Sequence, residues 1–161
     1  MQIYLAKTAG FCFGVDRAVS LVEQAIRDGK RAVTLGPIIH NRHVVERFAK
    51  LGVREIASPD EAQPGETVIL RAHGVEKAMQ EELAARGLEV IDATCPFVKK
   101  IHKTVAEYSE KGYEIVIIGS AKHPEVQGIL GWAKNGGTVV ESKEDALLFK
   151  PSKEEKPICV V

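Results

Sequence analysis

Leu35-Gly-Pro-Ile-Ile-His40 and Ile118-Gly-Ser-Ala-Lys-His123 are two versions of one segment, set 83 residues apart. Cys12 and Cys95 keep the same spacing. With one residue inserted the match runs on, from Ala49-Lys50-Leu51-Gly52 to Ala133-Lys134-Asn135-Gly136, and from Ser58-Pro-Asp-Glu61 to Ser142-Lys-Glu-Asp145. A chain that reuses a segment in this way is built from copies of one supersecondary unit, and its fold must accommodate those copies side by side.

Short β-rich runs alternate with helical periodicity almost from end to end. Strands are expected at 2–6, 32–35, 53–56, 67–70, 88–91, 114–118, 138–140 and 157–161. Val15, Ala18, Val19, Val22 and Ile26 mark one helix face, closed by Gly29, and Val44, Val45, Phe48 and Leu51 mark another, closed by Gly52. Ser58 to Glu61 reads as a capping box with proline at the first helical position. Further helices are expected at about 76–86, about 97–111 and from Pro124. The alternation predicts α/β modules, each with a small parallel sheet.

The second unit stops after the strand at 157–161, where the first continues through a helix and one more strand. The strand at 2–6 precedes Cys12 as the strand at 88–91 precedes Cys95. A closed ring of units accounts for both features and predicts a third module beyond Val161 with a third cysteine of this class. The expected organisation is an N-terminal strand and cysteine loop (1–13) that completes the missing third module, a first module (14–94) and an incomplete second (95–161).

Five of the eight expected strand ends carry Cys or His: Cys12, His40, His73, Cys95 and His123, the last followed by Glu125. Ligands of parallel sheets bind outside the carboxyl ends of the strands. Cys95, between Thr94 and Pro96, stands where a helix begins, and orphan N–H groups there favour a thiolate. Cys12 also precedes a helix, with Gly10 and Gly14 allowing close backbone approach. Thiolates placed this way suit soft metal ions or iron–sulfur clusters. The competing readings are two small buried hydrophobes and a single catalytic thiol, the latter leaving the duplicated position unexplained. Cys159, mid-strand and opposite Ile69 of the first unit, is expected in the core. His40, His73 and His123 are expected to gather over helix N-termini as an anion site, strong enough for phosphate or diphosphate, with Arg71 and Lys122 adding charge. Zinc is the competing ligand, but the spacing is long for it. His43 and His102 read as surface or edge residues. Glu125 reads either as a surface acid stabilising its helix or as a proton carrier.

Equal totals of 22 basic and 22 acidic residues give no net charge, and nothing calls for nucleic acid or a membrane as partner. No apolar run approaches the roughly 18 residues of a membrane span, and the N-terminus lacks a secretory pattern. Three cysteines without a CxxC make a poor disulfide framework and point to a reducing cytoplasm.

"AGFCFGV", "GPIIHN", "RAHGV", "DATCPFVKKIH" and "KHPEVQGILGW" resemble, in order, the motifs of the 4-hydroxy-3-methylbut-2-enyl diphosphate reductase family. The resemblance implies three α/β modules around a pseudo-threefold axis with a [4Fe–4S] cluster at the centre. Cys12 and Cys95 match two of three cluster thiolates, the third lying beyond Val161. His40, His73 and His123 match the residues that hold the diphosphate of the small-molecule substrate, and Glu125 matches the acid of the proton relay. The implied reaction is reductive dehydroxylation to isopentenyl and dimethylallyl diphosphate, with reduced ferredoxin or flavodoxin as electron donor. The alternative is a stand-alone diphosphate-binding α/β fragment without redox activity.

Overall fold

Eight elements build the first half of the protein in the computed structural model, which describes residues 1–152 and 156–161. They are α1 (Phe13–Arg27), β1 (Arg31–Leu35), α2 (Arg42–Lys50), β2 (Arg54–Ile56), a single 3-10 turn (Pro59–Glu61), β3 (Glu66–Leu70), α3 (Lys77–Ala85) and β4 (Glu89–Asp92). The second half contains α4 (Pro96–Glu110), β5 (Glu114–Ile118), α5 (Pro124–Leu130), β6 (Thr138–Val140), α6 (Lys143–Leu148) and β7 (Ile158–Val160).

Two parallel sheets result, one in the order β2-β1-β3-β4 and one in the order β6-β5-β7. β5, β6 and β7 thus pair as β1, β2 and β3 do. Leu35 lies beside Ile56 in the first sheet and Ile118 beside Val140 in the second. β3 is buried along its whole length, as a central strand covered on both faces must be. Ile69 faces the core shared with Val22 of α1 and Phe48 of α2, while Val68 and Leu70 face Leu83 of α3. In the second sheet Ile115 and Ile117 pack on Val105 of α4 and on Val126 and Ile129 of α5. α6 buries nothing, and Leu147 and Leu148 stay exposed.

Four expectations change. Residues 2–6 form no strand: the segment pairs with nothing among the described residues, and Ile3, Tyr4 and Leu5 are all exposed. Strand-like composition becomes a strand only where a neighbour completes the ladder. The segment at Ser58 gives one 3-10 turn, because Pro64 and Gly65 halt it within a few residues. The Ser58 hydroxyl caps nothing there. Its repeat copy does close: Ser142 Oγ accepts from Asp145 N at 3.0 Å, and Asp145 Oδ2 accepts from Ser142 N at 3.0 Å. Cys159 pairs with Ile115, as Thr67 pairs with Ala32, so it occupies the place of Thr67 and not of Ile69. It is half-buried against the α4–β5 core, and that burial pushes its thiol pKa up. His102, expected at the surface or an edge, is buried at 3% exposure. Among the described residues no helix is long and apolar enough to cross a membrane.

Candidate functional site: an imidazole cluster beside two thiols

Three strand ends deliver three imidazoles to one place. His40 follows β1, its turn anchored by buried Ile38 and Ile39 and by Ala72 N donating to Ile38 O at 2.9 Å. Asn41 then caps α2, accepting from Val44 N at 3.2 Å. His73 follows β3 on a tight turn closed by Gly74 N donating to Arg71 O at 3.0 Å. His73 stands three residues before the cap of α3, so only His40 and His123 adjoin helix starts. His123 follows β5 and is itself the N-cap of α5, its Nδ1 accepting from Glu125 N at 3.2 Å. That bond leaves Nε2 of neutral His123 as the N–H donor.

The ring centroids lie 3.9 Å apart for His40 and His73, 5.3 Å for His40 and His123, and 6.2 Å for His73 and His123. Burial pushes the pKa of His73 down to about 4, and His40, Arg71 and His123 push it the same way. Its Nδ1 is buried and has no hydrogen-bond partner among the described residues. The Arg71 guanidinium is half-buried, which lowers its pKa, and Nε donates to Gly74 O at 3.0 Å. Imidazole N–H groups beside a guanidinium form a donor-rich surface matched to an anion. An anion placed there offsets the repulsion that adds to burial in keeping His73 unprotonated.

The thiols approach from the helix starts. Cys12 caps α1 and Cys95 caps α4 through their backbones, and neither side chain is spent on a cap bond. Both are free thiols. Arg17 of α1 donates to Thr94 O at 3.3 Å and to Asp92 O at 3.2 Å, tying α1 to the turn that carries Cys95. A Cβ added to Gly14 would come within 2.6 Å of Cys95 Sγ. The Cys95 sulfur therefore occupies a cradle on the first turn of α1, two residues from Cys12, that only glycine leaves open. Exposed Phe11, Phe13 and Phe97 flank the two cysteines in sequence. Among the described residues no group of three or more His, Cys, Asp or Glu side chains is arranged to hold a metal. The Cys95 sulfur, seated on the first turn of α1 two residues from exposed Cys12, fits part of the ligand set of a soft metal centre.

One turn joins the two clusters. Cys95 N donates to Ala72 O at 2.9 Å, next to His73. A Cβ on Gly74 would meet His102 Cε1 at 2.5 Å and Thr94 Cγ2 at 3.0 Å. Glu125, half-buried in the first turn of α5, follows His123 by two residues. Lys122 is exposed.

Sequence reasoning missed His102 and Trp132. Their rings stack at 5.0 Å and 18°, yet they lie on different elements, so no periodicity links them. The one signal was that Trp132 is the chain's single tryptophan. Burial pushes the pKa of His102 down to about 4, against a small opposing pull from Asp92. The unfolded chain, whose histidines titrate near 6.5, then binds more protons than the fold does between about pH 6.5 and 4. Stability is full above pH 6.5 and falls as pH drops toward 4, by up to about 3 kcal/mol from this residue. Chemical denaturation of wild type and His102→Gln across that range should give a shallower slope in the variant; equal slopes would contradict the assignment.

A family model described as LytB protein matches residues 3–161. The 4-hydroxy-3-methylbut-2-enyl diphosphate reductase of Citrifermentans bemidjiense is 50% identical over 145 residues, which are 90% of this chain and 51% of the relative. The enzyme of that name from Aquifex aeolicus is 47% identical over 149 residues, again 90% and 51%. The chain thus spans about half the length of these curated relatives. The solved structure of an (E)-4-hydroxy-3-methyl-but-2-enyl diphosphate reductase, the terminal enzyme of the non-mevalonate pathway, is similar with a TM-score of 0.75 and 47% identity, over 89% of this chain and 52% of that one. The E-1-hydroxy-2-methyl-but-2-enyl-4-diphosphate reductase from Plasmodium falciparum gives a TM-score of 0.90 at 31% identity, over 98% and 50%. With parallel α/β sheets of the same kind and a sequence match that takes in every cysteine and histidine described above, this chain belongs to the LytB protein family.

Proposed function

We propose that this chain is the N-terminal part of a 4-hydroxy-3-methylbut-2-enyl diphosphate reductase. The observation that carries the reading is the meeting of three imidazoles from three separate strand ends, with ring centroids 3.9–6.2 Å apart. His40, His73 and His123 hold the diphosphate and so orient the substrate's hydroxyl end. Cys12 and Cys95 supply two thiolates to a [4Fe–4S] cluster, with a third cysteine expected beyond Val161. When bound, that cluster supplies two electrons, passed on from reduced ferredoxin or flavodoxin, and a Lewis-acidic iron for the hydroxyl. Glu125 supplies a proton. The overall balance is one alcohol, two electrons and two protons in. The C–O bond breaks, a C–H bond forms, and water leaves with isopentenyl or dimethylallyl diphosphate as product. The setting is the cytoplasm, with neither nucleic acid nor membrane as partner. The modules close around a pseudo-threefold axis, and residues 1–13 complete the third.

The test is calorimetric titration of the anaerobically purified protein with inorganic diphosphate, alongside iron and acid-labile sulfide analysis. Wild type should bind diphosphate and carry iron and sulfide. His40→Asn should weaken the binding by about tenfold or more, as loss of one charge-assisted hydrogen bond requires, with iron unchanged. Diphosphate binding without iron or sulfide would favour the binding module without redox chemistry. Absence of both would end the proposal.

A further inference from the structure

The turn that carries His73, closed by its own bonds to Arg71, packs against residues from α4, from α5 and from the turn before Cys95. Gly74, at φ +74°, lies against His102 of α4 and against Thr94. A Cβ on Gly128 of α5 would lie 3.8 Å from both His73 O and Gly74 O. A Cβ on Gly131 would come within 2.5 Å of Glu76 Cβ. Beyond Gly131, Trp132 Nε1 donates to Val75 O at 3.0 Å and its ring stacks on His102.

α5 connects this grip to the imidazoles. It is a short rod, begun by His123 and continued past its cap by Trp132 N donating to Ile129 O at 3.0 Å. Seven helical residues span roughly 10 Å, too short to bend. Fixing Trp132 on Val75 therefore fixes His123 at the other end. The same indole bond fixes the turn on which His73 rides. The small residues Gly74, Gly128 and Gly131 let the parts approach without intervening side chains.

We propose that Trp132 and His102 are positioning residues that set His73 against His123 and so preorganise the three-imidazole cluster for its anion. The ligand half of this inference rests on the diphosphate reading above; the placement of His73 does not. A positioning bond of this kind acts by reducing the reorganisation that binding demands.

Trp132→Phe keeps an aromatic ring over His102, a smaller one, and removes the indole N–H that bonds Val75 O. Two quantities are read: affinity for inorganic diphosphate, and the titration of His73 followed by histidine ring NMR in the absence of ligand. Affinity should fall about tenfold, the effect of losing one buried hydrogen bond. His73, released from its crowded and desolvated place, should titrate higher than about 4 and move toward 6.5. A variant that melts earlier but leaves both readouts at wild-type values overturns the inference, since a merely structural bond does that much. Should wild type not bind diphosphate while the His73 titration still moves, the diphosphate reading fails and the positioning role stands. If Trp132→Phe does not fold, His102→Gln removes the ring beneath Gly74 and is measured in the same way. Weaker binding with a raised His73 pKa then supports the positioning role, and wild-type values for both overturn it.

Discussion

Gly74→Ala is expected to lower the stability of the protein by about 3 kcal/mol, measured as a shift in its denaturation free energy. Two effects add at this position. The backbone sits at φ +74°, in the left-handed region, where an L side chain costs roughly 1–2 kcal/mol. The new methyl then meets His102 Cε1 at 2.5 Å and Thr94 Cγ2 at 3.0 Å. Neither can swing away. His102 is clamped against Trp132, and Thr94 is buried at 1% exposure. Overpacking of this sort adds about 1–3 kcal/mol. Gly29→Ala separates the two effects. Gly29 has φ +70° but open space around an added Cβ, so it should show only the backbone cost. If Gly74→Ala is no worse than Gly29→Ala, the packed seat beneath the His73 turn is not rigid.

The periodic parts of this fold were legible because they follow local rules. Val15 to Ile26 at helical spacing became α1, and the apolar run before His73 became the fully buried β3. The motif residues were legible for a different reason: Cys and His are rare enough that their recurrence near expected strand ends stands out, and four of them, His40, His73, Cys95 and His123, do follow strands. What stayed hidden depends on partners distant in sequence. Residues 2–6 have the composition of a strand, but a strand is a relation between two segments, and no described segment pairs with this one. His102 lies in a helix whose neighbours Lys99, Lys100 and Lys103 are charged, which suggests solvent. It is nevertheless buried, because Gly74 from the β3–α3 turn and Trp132 from beyond α5 both close on it. The Cys159 register was missed by two residues because an insertion within the repeat has no fixed place until the ladder to Ile115 sets it.

Glu125→Gln should abolish most turnover while leaving the rest of the site intact. Glutamine keeps the volume and the hydrogen-bonding reach of glutamate but has no proton to give near neutral pH. The backbone N–H of this residue donates to His123 Nδ1 at 3.2 Å, a bond the substitution does not touch, so His123 keeps its orientation. α5 keeps proline at its first position and the packing of Val126 and Ile129, so the helix holds. The proposed reaction consumes two protons, and a hydroxyl leaves far more readily as water than as hydroxide. A positioned general acid contributes about 10²–10⁴-fold to such a step, and turnover should fall by that factor. Iron content and affinity for inorganic diphosphate should stay within about twofold of wild type, because neither involves the transferred proton. Wild-type turnover in this variant would remove Glu125 from the chemistry and return it to the lesser role of an acid at a helix N-terminus. A loss of diphosphate affinity equal to the loss of turnover would instead place Glu125 in the anion site, as a residue that orients His123 and donates no proton.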